Sequence, residues 1–238
     1  MRGHADDDRG ALSRAWGRPG VADLYERGRP GWPPALLEAV PLPDGPKLDL
    51  AAGTGKLTRI LAPPVYAVEP SAEMLDRLRE EAPHAEALLG HAEAIPLPDG
   101  AVEAVLVAEA FHWFADETAV AEIVRVLRPG GLLVLLWNIP LRLPALDLDL
   151  PKATFSAWET RDSGVWREPL RGRFDEPRVV SVEHELRLDA DGWRAHVGSW
   201  SAVALLPEDG RRAALASLGD EDVGIPMRAE AWWCRRDP

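Results

Sequence analysis

The sequence predicts a doubly wound α/β fold: a mostly parallel sheet with helices on both faces, an antiparallel edge at its C-terminal end, and a small helical cap. Three observations predict it. Short apolar runs alternate with helical stripes from residue 47 to 137, the spacing of strand–helix–strand units joined by right-handed crossovers. The first run, "LDL" (48–50), breaks into "AAGTG" (51–55), five residues with no bulky side chain. Such a turn lets a ligand approach the backbone beyond a strand's carboxyl end. Two alternating stretches, 179–188 and 225–234, close the chain, and alternation marks strands with one covered face.

The elements follow in order. Residues 1–20, with "DDD" at 6–8 and "GRPG" at 17–20, read as a flexible arm ahead of a domain spanning 21–238. A short helix is expected at 21–28, a proline-set turn at 29–34 and a second helix at 34–40. "KLDLA" (47–51) is the first strand. "KLTRIL" (56–61) puts Leu57, Ile60 and Leu61 at i, i+3 and i+4 and so predicts a helix. "VYAVE" (65–69) is the second strand. Ser71 then caps a helix with Glu73 in its first turn. "AEALLG" (85–90) is a weaker third strand, and "AVEAVLVA" (101–108) is apolar enough to be covered on both faces. Val120, Ile123, Val124 and Leu127 form a helical stripe stopped by "RPGG" (128–131), and "LLVLLW" (132–137) is the fifth strand. The core is thus expected at about 47–138, with cap elements at 21–40 and 139–218.

Composition bounds the function. The 238 residues carry a net charge of −12, which argues against a nucleic-acid backbone as partner. The single cysteine cannot close an internal disulfide, and no apolar run reaches the roughly 20 residues of a membrane helix. The setting expected is cytoplasmic, with no membrane partner. The six histidines are dispersed, so no metal site is expected, and no G-x-S-x-G elbow supports serine hydrolysis.

The glycine turn admits three nucleotide readings. A phosphate-cradling P-loop needs G-x-x-x-x-G-K-S/T, but Leu57 follows Gly55-Lys56 and Leu50 stands at the first glycine. A dinucleotide turn needs G-x-G-x-x-G, and Thr58 stands at its third glycine. The third reading fits: with Asp49 before it and Gly53 and Gly55 within it, the stretch resembles the first motif of class I S-adenosylmethionine-dependent methyltransferases. Ala51 stands where that motif usually has its first glycine. "YAVEPSAEML" (66–75), "GHAEAIPLPDGAVEAVLVAEAFHW" (90–113) and "VLRPGGLLVL" (126–135) resemble the family's later motifs in the right order. "YERGRPGWP" (25–33), "FHWF" (111–114) and the tail segments 198–211 and 225–236 resemble a bacterial small-molecule subgroup similar to trans-aconitate and ubiquinone/menaquinone methyltransferases.

That resemblance implies a Rossmann-like seven-stranded sheet and S-adenosyl-L-methionine as cofactor, leaving as S-adenosyl-L-homocysteine. It implies O- or C-methylation of a small-molecule acceptor by in-line substitution. Cofactor contacts are implied at Asp49, Ala51, Gly53, Thr54, Gly55, Glu69, Pro70, Met74, His91, Ala92, Glu93 and Glu109, with Tyr25 and Arg29 closing over it. Glu69 would accept from both ribose hydroxyls, since a carboxylate can take two donors at once. His112 is the candidate base where the acceptor must lose a proton, since imidazole is the side-chain type suited to proton transfer near neutral pH. Trp113, Asn138 and Trp200 are candidate acceptor contacts. Trp158, Trp166, Trp193 and Trp200 fall in the expected cap, as an aromatic pocket or as plain core. Two other readings stay open: a protein that binds the cofactor without transferring methyl, and a nicotinamide-dependent reductase. The acceptor, the methylated atom and the oligomeric state are not legible.

Overall fold

The computed structural model describes residues 20–144, 146 and 162–238. All but the last residue of the expected arm, and Trp158, lie outside the described residues. A seven-stranded sheet runs β3–β2–β1–β4–β5–β7–β6, with β1 at Lys47–Leu50, β2 at Val65–Glu69, β3 at Glu86–Leu89, β4 at Val102–Ala108, β5 at Leu127–Pro140, β6 at Arg178–Leu188 and β7 at Val223–Arg235. β1 to β5 pair in parallel, and β7 is antiparallel to both β5 and β6. The antiparallel edge expected at the C-terminal end is present, built from both alternating stretches, with β6 outermost and β7 between it and β5. The strand order reverses between β1 and β4, which opens a crevice at their carboxyl ends.

Alternation along the strands builds two cores. Leu48, Leu50, Val105, Val107, Leu133 and Leu135 face one side, against Val120, Ile123 and Val126 of α5 (Glu117–Val126). Ala104, Leu106, Leu132, Val134 and Leu136 face the other, against Trp32, Leu57, Leu61 and Leu36 of α2 (Pro34–Glu38). The helix at 72–81 starts at the cap expected for it, and the helix at 117–126 opens on a polar cap as well. Ser71 Oγ accepts from Met74 N at 3.4 Å to open α3 (Ala72–Glu81), and Asp116 Oδ1 accepts from two backbone amides at 3.0 Å to open α5. A cap of this kind is worth about 1 kcal/mol. α4 is the single turn Phe111–Phe114.

The helix expected at 56–61 is not there. Only a 3₁₀ turn forms, at Thr58–Ile60. Leu57 and Leu61 are buried but Ile60 is 43% exposed, so the three do not share a face. Gly55 at φ 86 on one side and Pro63-Pro64 on the other leave too few residues to pass the nucleation cost of an α-helix. Strand five is longer than expected. The helix stops at Val126, so Leu127, expected in its stripe, is already strand, and the chain runs straight on through "RPGG".

The cap is built from both ends of the chain. α6 (Ala190–Gly198) packs on α1 (Val21–Gly28), and α7 (Ser201–Ala204) and α8 (Glu208–Ala216) pack on α6. A Cβ on Gly28 would lie 2.2 Å from His196 N and 2.3 Å from the Ala195 carbonyl carbon, so only glycine lets α1 and α6 touch there. His196 Nδ1 donates to the Gly28 carbonyl at 2.8 Å, and burial drives its pKa down to about 4, so the ring is neutral. Arg29 donates from Nε to Ser199 Oγ at 2.9 Å and from Nη2 to the Ser199 carbonyl at 2.7 Å. Trp193 and Trp200 stand edge to face within this cap. Trp166 does not join them. It is buried against Phe111, Trp137 and Trp232 on the sheet, so it is core.

Candidate functional site

A cavity of about 230 Å³ opens beyond the carboxyl ends of β1, β2 and β4. Each strand ends there in a residue type suited to contact. After β1 come Ala51 and Gly53; β2 ends in Glu69, with Pro70, Ser71 and Met74 following; after β3 come His91, Ala92 and Glu93; after β4 come Glu109, Ala110 and Trp113. Tyr25 of α1 roofs the cavity, with its Cε1 3.7 Å from where a Gly53 Cβ would sit.

Glu69 ties the floor together. Its Oε2 accepts from Gly53 N and its Oε1 from Ser71 N, each at 2.9 Å. It is 6% exposed, and burial pushes its pKa up to about 7 against the pull of those two amides. Two donors leave lone pairs on the carboxylate for further donors. Asp49 lies behind the glycine turn, fully buried. Its Oδ2 accepts from Thr58 Oγ1 at 2.6 Å, its Oδ1 has no hydrogen-bond partner among the described residues, and burial pushes its pKa up to about 7. Tyr25 is pushed above its ordinary value by burial, opposed by Arg29 and reinforced by Glu109, Glu69 and Asp49.

Of the residues expected from the sequence, Tyr25, Ala51, Gly53, Glu69, Pro70, Met74, His91, Ala92, Glu93, Glu109 and Trp113 line this one cavity. Seven others do not. Asp49 stands behind the turn. Thr54 donates to Glu26 Oε2 at 2.7 Å, and Gly55 backs onto Leu78, where a Cβ would meet Cγ at 3.0 Å. Arg29 is spent on Ser199, and Trp200 lies in the cap. His112 Nδ1 faces Trp137 Nε1 at 3.5 Å, its ring against Trp113. Asn138 Oδ1 pairs with His184 Nε2 at 2.9 Å. Ala51 has φ 58, so the usual glycine position is left-handed here and alanine carries the strain.

One residue that braces the cavity escaped the sequence reading. Glu26 of α1 accepts from Thr54 Oγ1 at 2.7 Å and from Arg59 Nη2 at 2.7 Å, with Lys56 Nζ at 3.4 Å, and so latches the roof to the glycine turn. Its partners are 28 to 33 residues away, and nothing local in "YERGRP" announces them.

A reversed strand order, a glycine turn after β1 and a carboxylate closing β2 define a ligand cleft at the switch point of a doubly wound sheet. The comparisons with known proteins give that class its family. A model of the methyltransferase domain matches residues 48–135. An uncharacterized methyltransferase of Mycobacterium tuberculosis is 53% identical over 118 residues, 48% of this chain and 49% of that protein. The match thus covers about half the length of that relative. An uncharacterized methyltransferase-like protein of Schizosaccharomyces pombe is 35% identical over 227 residues, 87% of this chain and 85% of that protein. The chain belongs to the methyltransferase family. Its fold is shared with a phosphoethanolamine N-methyltransferase of Haemonchus contortus, solved with S-adenosylhomocysteine and phosphomonomethylethanolamine. That structure superposes with a TM-score of 0.59 at 14% identity, over 97% of this chain and 60% of that one. No helix among the described residues is long and apolar enough to cross a membrane.

Proposed function

We propose that this chain methylates a small-molecule acceptor, at oxygen or carbon, with S-adenosyl-L-methionine as donor. The observation that carries the reading is the union of Gly53 and Glu69 in one cavity floor, joined by the 2.9 Å bond between them. Glu69 would hold the ribose hydroxyls on its remaining lone pairs. Ala51 and Gly53 leave the amino-acid end room against the backbone. The backbone at Ala92, between His91 and Glu93, would meet the adenine edge. Glu69, Glu93 and Glu109 line the cavity, a lining that suits a sulfonium cation. A dinucleotide fits less well. Its pyrophosphate needs the N-terminus of a full helix after the glycine turn, and here a three-residue 3₁₀ turn follows.

When bound, the cofactor supplies an already activated methyl group. The protein's part is to orient the acceptor in line and to keep water out, and orientation alone can contribute about 7–11 kcal/mol. Tyr25 on the latched α1 supplies the cover.

Calorimetry and thermal shift test the reading. S-adenosylhomocysteine should bind and stabilise the protein, while NAD(H) and NADP(H) should not. Glu69→Ala should weaken binding about 10–100-fold, the loss of hydrogen bonds to a charged acceptor. Labelled methyl transfer to a panel of phenols, enols and quinols then separates a transferase from a passive binder. Stabilisation by a nicotinamide nucleotide alone would reverse the conclusion.

A further inference from the structure

We propose, resting on the reading above, that Glu109 is the acceptor-binding group: its carboxylate receives the hydroxyl of a neutral phenol or enol, and acceptors bearing several negative charges are excluded. The sheet order carries the argument. Adenine, ribose and amino-acid end are assigned to the ends of β3, β2 and β1, and these strands are neighbours in that order. The next strand along is β4, and the residue that follows it is Glu109. Trp113 and Phe114, in the turn that follows β4, line the same cavity, which gives a flat ring apolar walls. Glu109 therefore stands where the acceptor must enter, past the nucleoside rather than under it.

The backbone at Glu109 supports a built role. Among the described residues only Ala51 and Glu109 are non-glycine residues with positive φ, at 58 and 57. Both follow strands of the β1–β4 pair and both line the cavity. Strain kept at a cleft is a pointer to function when the surroundings fix it. They fix it here: Glu109 N donates to the Leu136 carbonyl at 2.9 Å, and Oε1 accepts from Asn138 N. Asn138 is itself held through Oδ1 by His184 Nε2 at 2.9 Å and through Nδ2 by the Gly31 carbonyl at 3.4 Å. β4, β5 and β6 thus aim one carboxylate. A carboxylate so placed accepts a neutral donor and repels anions, and the described lining adds Glu69 and Glu93 with no Lys or Arg.

The test uses protein saturated with S-adenosylhomocysteine and ligand-observed NMR with phenol and catechol as probes, against benzoate and tricarballylate. Glu109→Gln keeps an oxygen for Asn138 N, so its melting temperature serves as the folding control. Phenol and catechol should bind the wild type and lose at least tenfold in affinity with Glu109→Gln, while S-adenosylhomocysteine affinity stays within threefold. The two carboxylates should not compete. Equal phenol binding by both proteins, preference for the carboxylates, or no phenolic binding to the wild type overturns the proposal. A drop in S-adenosylhomocysteine affinity matching that of Glu69→Ala also overturns it, making Glu109 a cofactor contact. Wild-type protein that fails to bind S-adenosylhomocysteine would instead bring down the methyltransfer reading itself.

Discussion

Glu69 makes cofactor binding release a proton. Burial places its pKa at about 7 in the free protein, so at pH 6 about nine in ten carboxyls are protonated. Ribose hydroxyls donate to the charged form and favour it. Binding at pH 6 must therefore remove close to one proton, and affinity should rise about tenfold, or 1.4 kcal/mol, between pH 6 and 8 before levelling off. The stability of the free protein runs the opposite way. The folded state keeps the Glu69 proton up to about pH 7 while the unfolded chain loses it near its ordinary value of 4.5, so stability falls as pH rises through that window. Titration calorimetry with S-adenosylhomocysteine in two buffers of different ionisation enthalpy reads the released proton directly. Glu69→Gln should flatten the pH dependence. It also turns an amide NH₂ toward a backbone N–H, at a cost of about 1–3 kcal/mol in stability. A dissociation constant that is flat from pH 6 to 8 would refute the reasoning, as would a slope that survives in the glutamine variant.

Four more outcomes follow from the same geometry. Ala51→Gly relieves a left-handed residue worth about 1–2 kcal/mol against an entropy cost of about 0.5–1, so urea denaturation should show a net gain of about 0.5–1 kcal/mol. Gly28→Ala drives a Cβ into the α6 backbone and should lower stability by about 1–3 kcal/mol, with earlier proteolysis of α1. Asp49→Asn removes a buried carboxyl whose pKa is about 7 and should stabilise the protein at pH 8 by about 2 kcal/mol or more, with less effect at pH 5. His112→Ala should leave S-adenosylhomocysteine affinity within threefold and slow methyl transfer less than Glu109→Gln does, because Trp113 lines the cavity and His112, packed on Trp113, does not; a larger loss would restore His112 as the base.

What the sequence made legible was local. The strands at 65–69 and 101–108 and the cap at Ser71 depend on neighbours a few residues away, and period and capping chemistry report those directly. The 56–61 stretch shows the limit. Leu57 and Leu61 are core residues, but Pro63 and Gly55 decide the backbone, so a helical spacing of apolar residues was satisfied without a helix. Long-range partners were not legible. The Glu26 latch, the Arg29–Ser199 clasp and the Asn138–His184 pair span 28 to 170 residues, and only the fold brings them together. In the cavity, the motif residues that face inward and those that brace the turn from behind are interleaved along the chain. Spacing cannot separate Gly53, in the lining, from Thr54, turned toward Glu26.

The placing of β7 one strand in from the edge sets an order of events at the ribosome. Among the described residues β6 has no sheet neighbour other than β7, and β7 is made after the six strands it joins. While the chain emerges, β5 is left as a provisional border, and the 178–188 segment must wait as a loose end until residues 223–235 arrive to slot between the two. Nascent chains stalled before residue 223 should thus display a five-stranded body with an open flank, the form most exposed to capture by another chain.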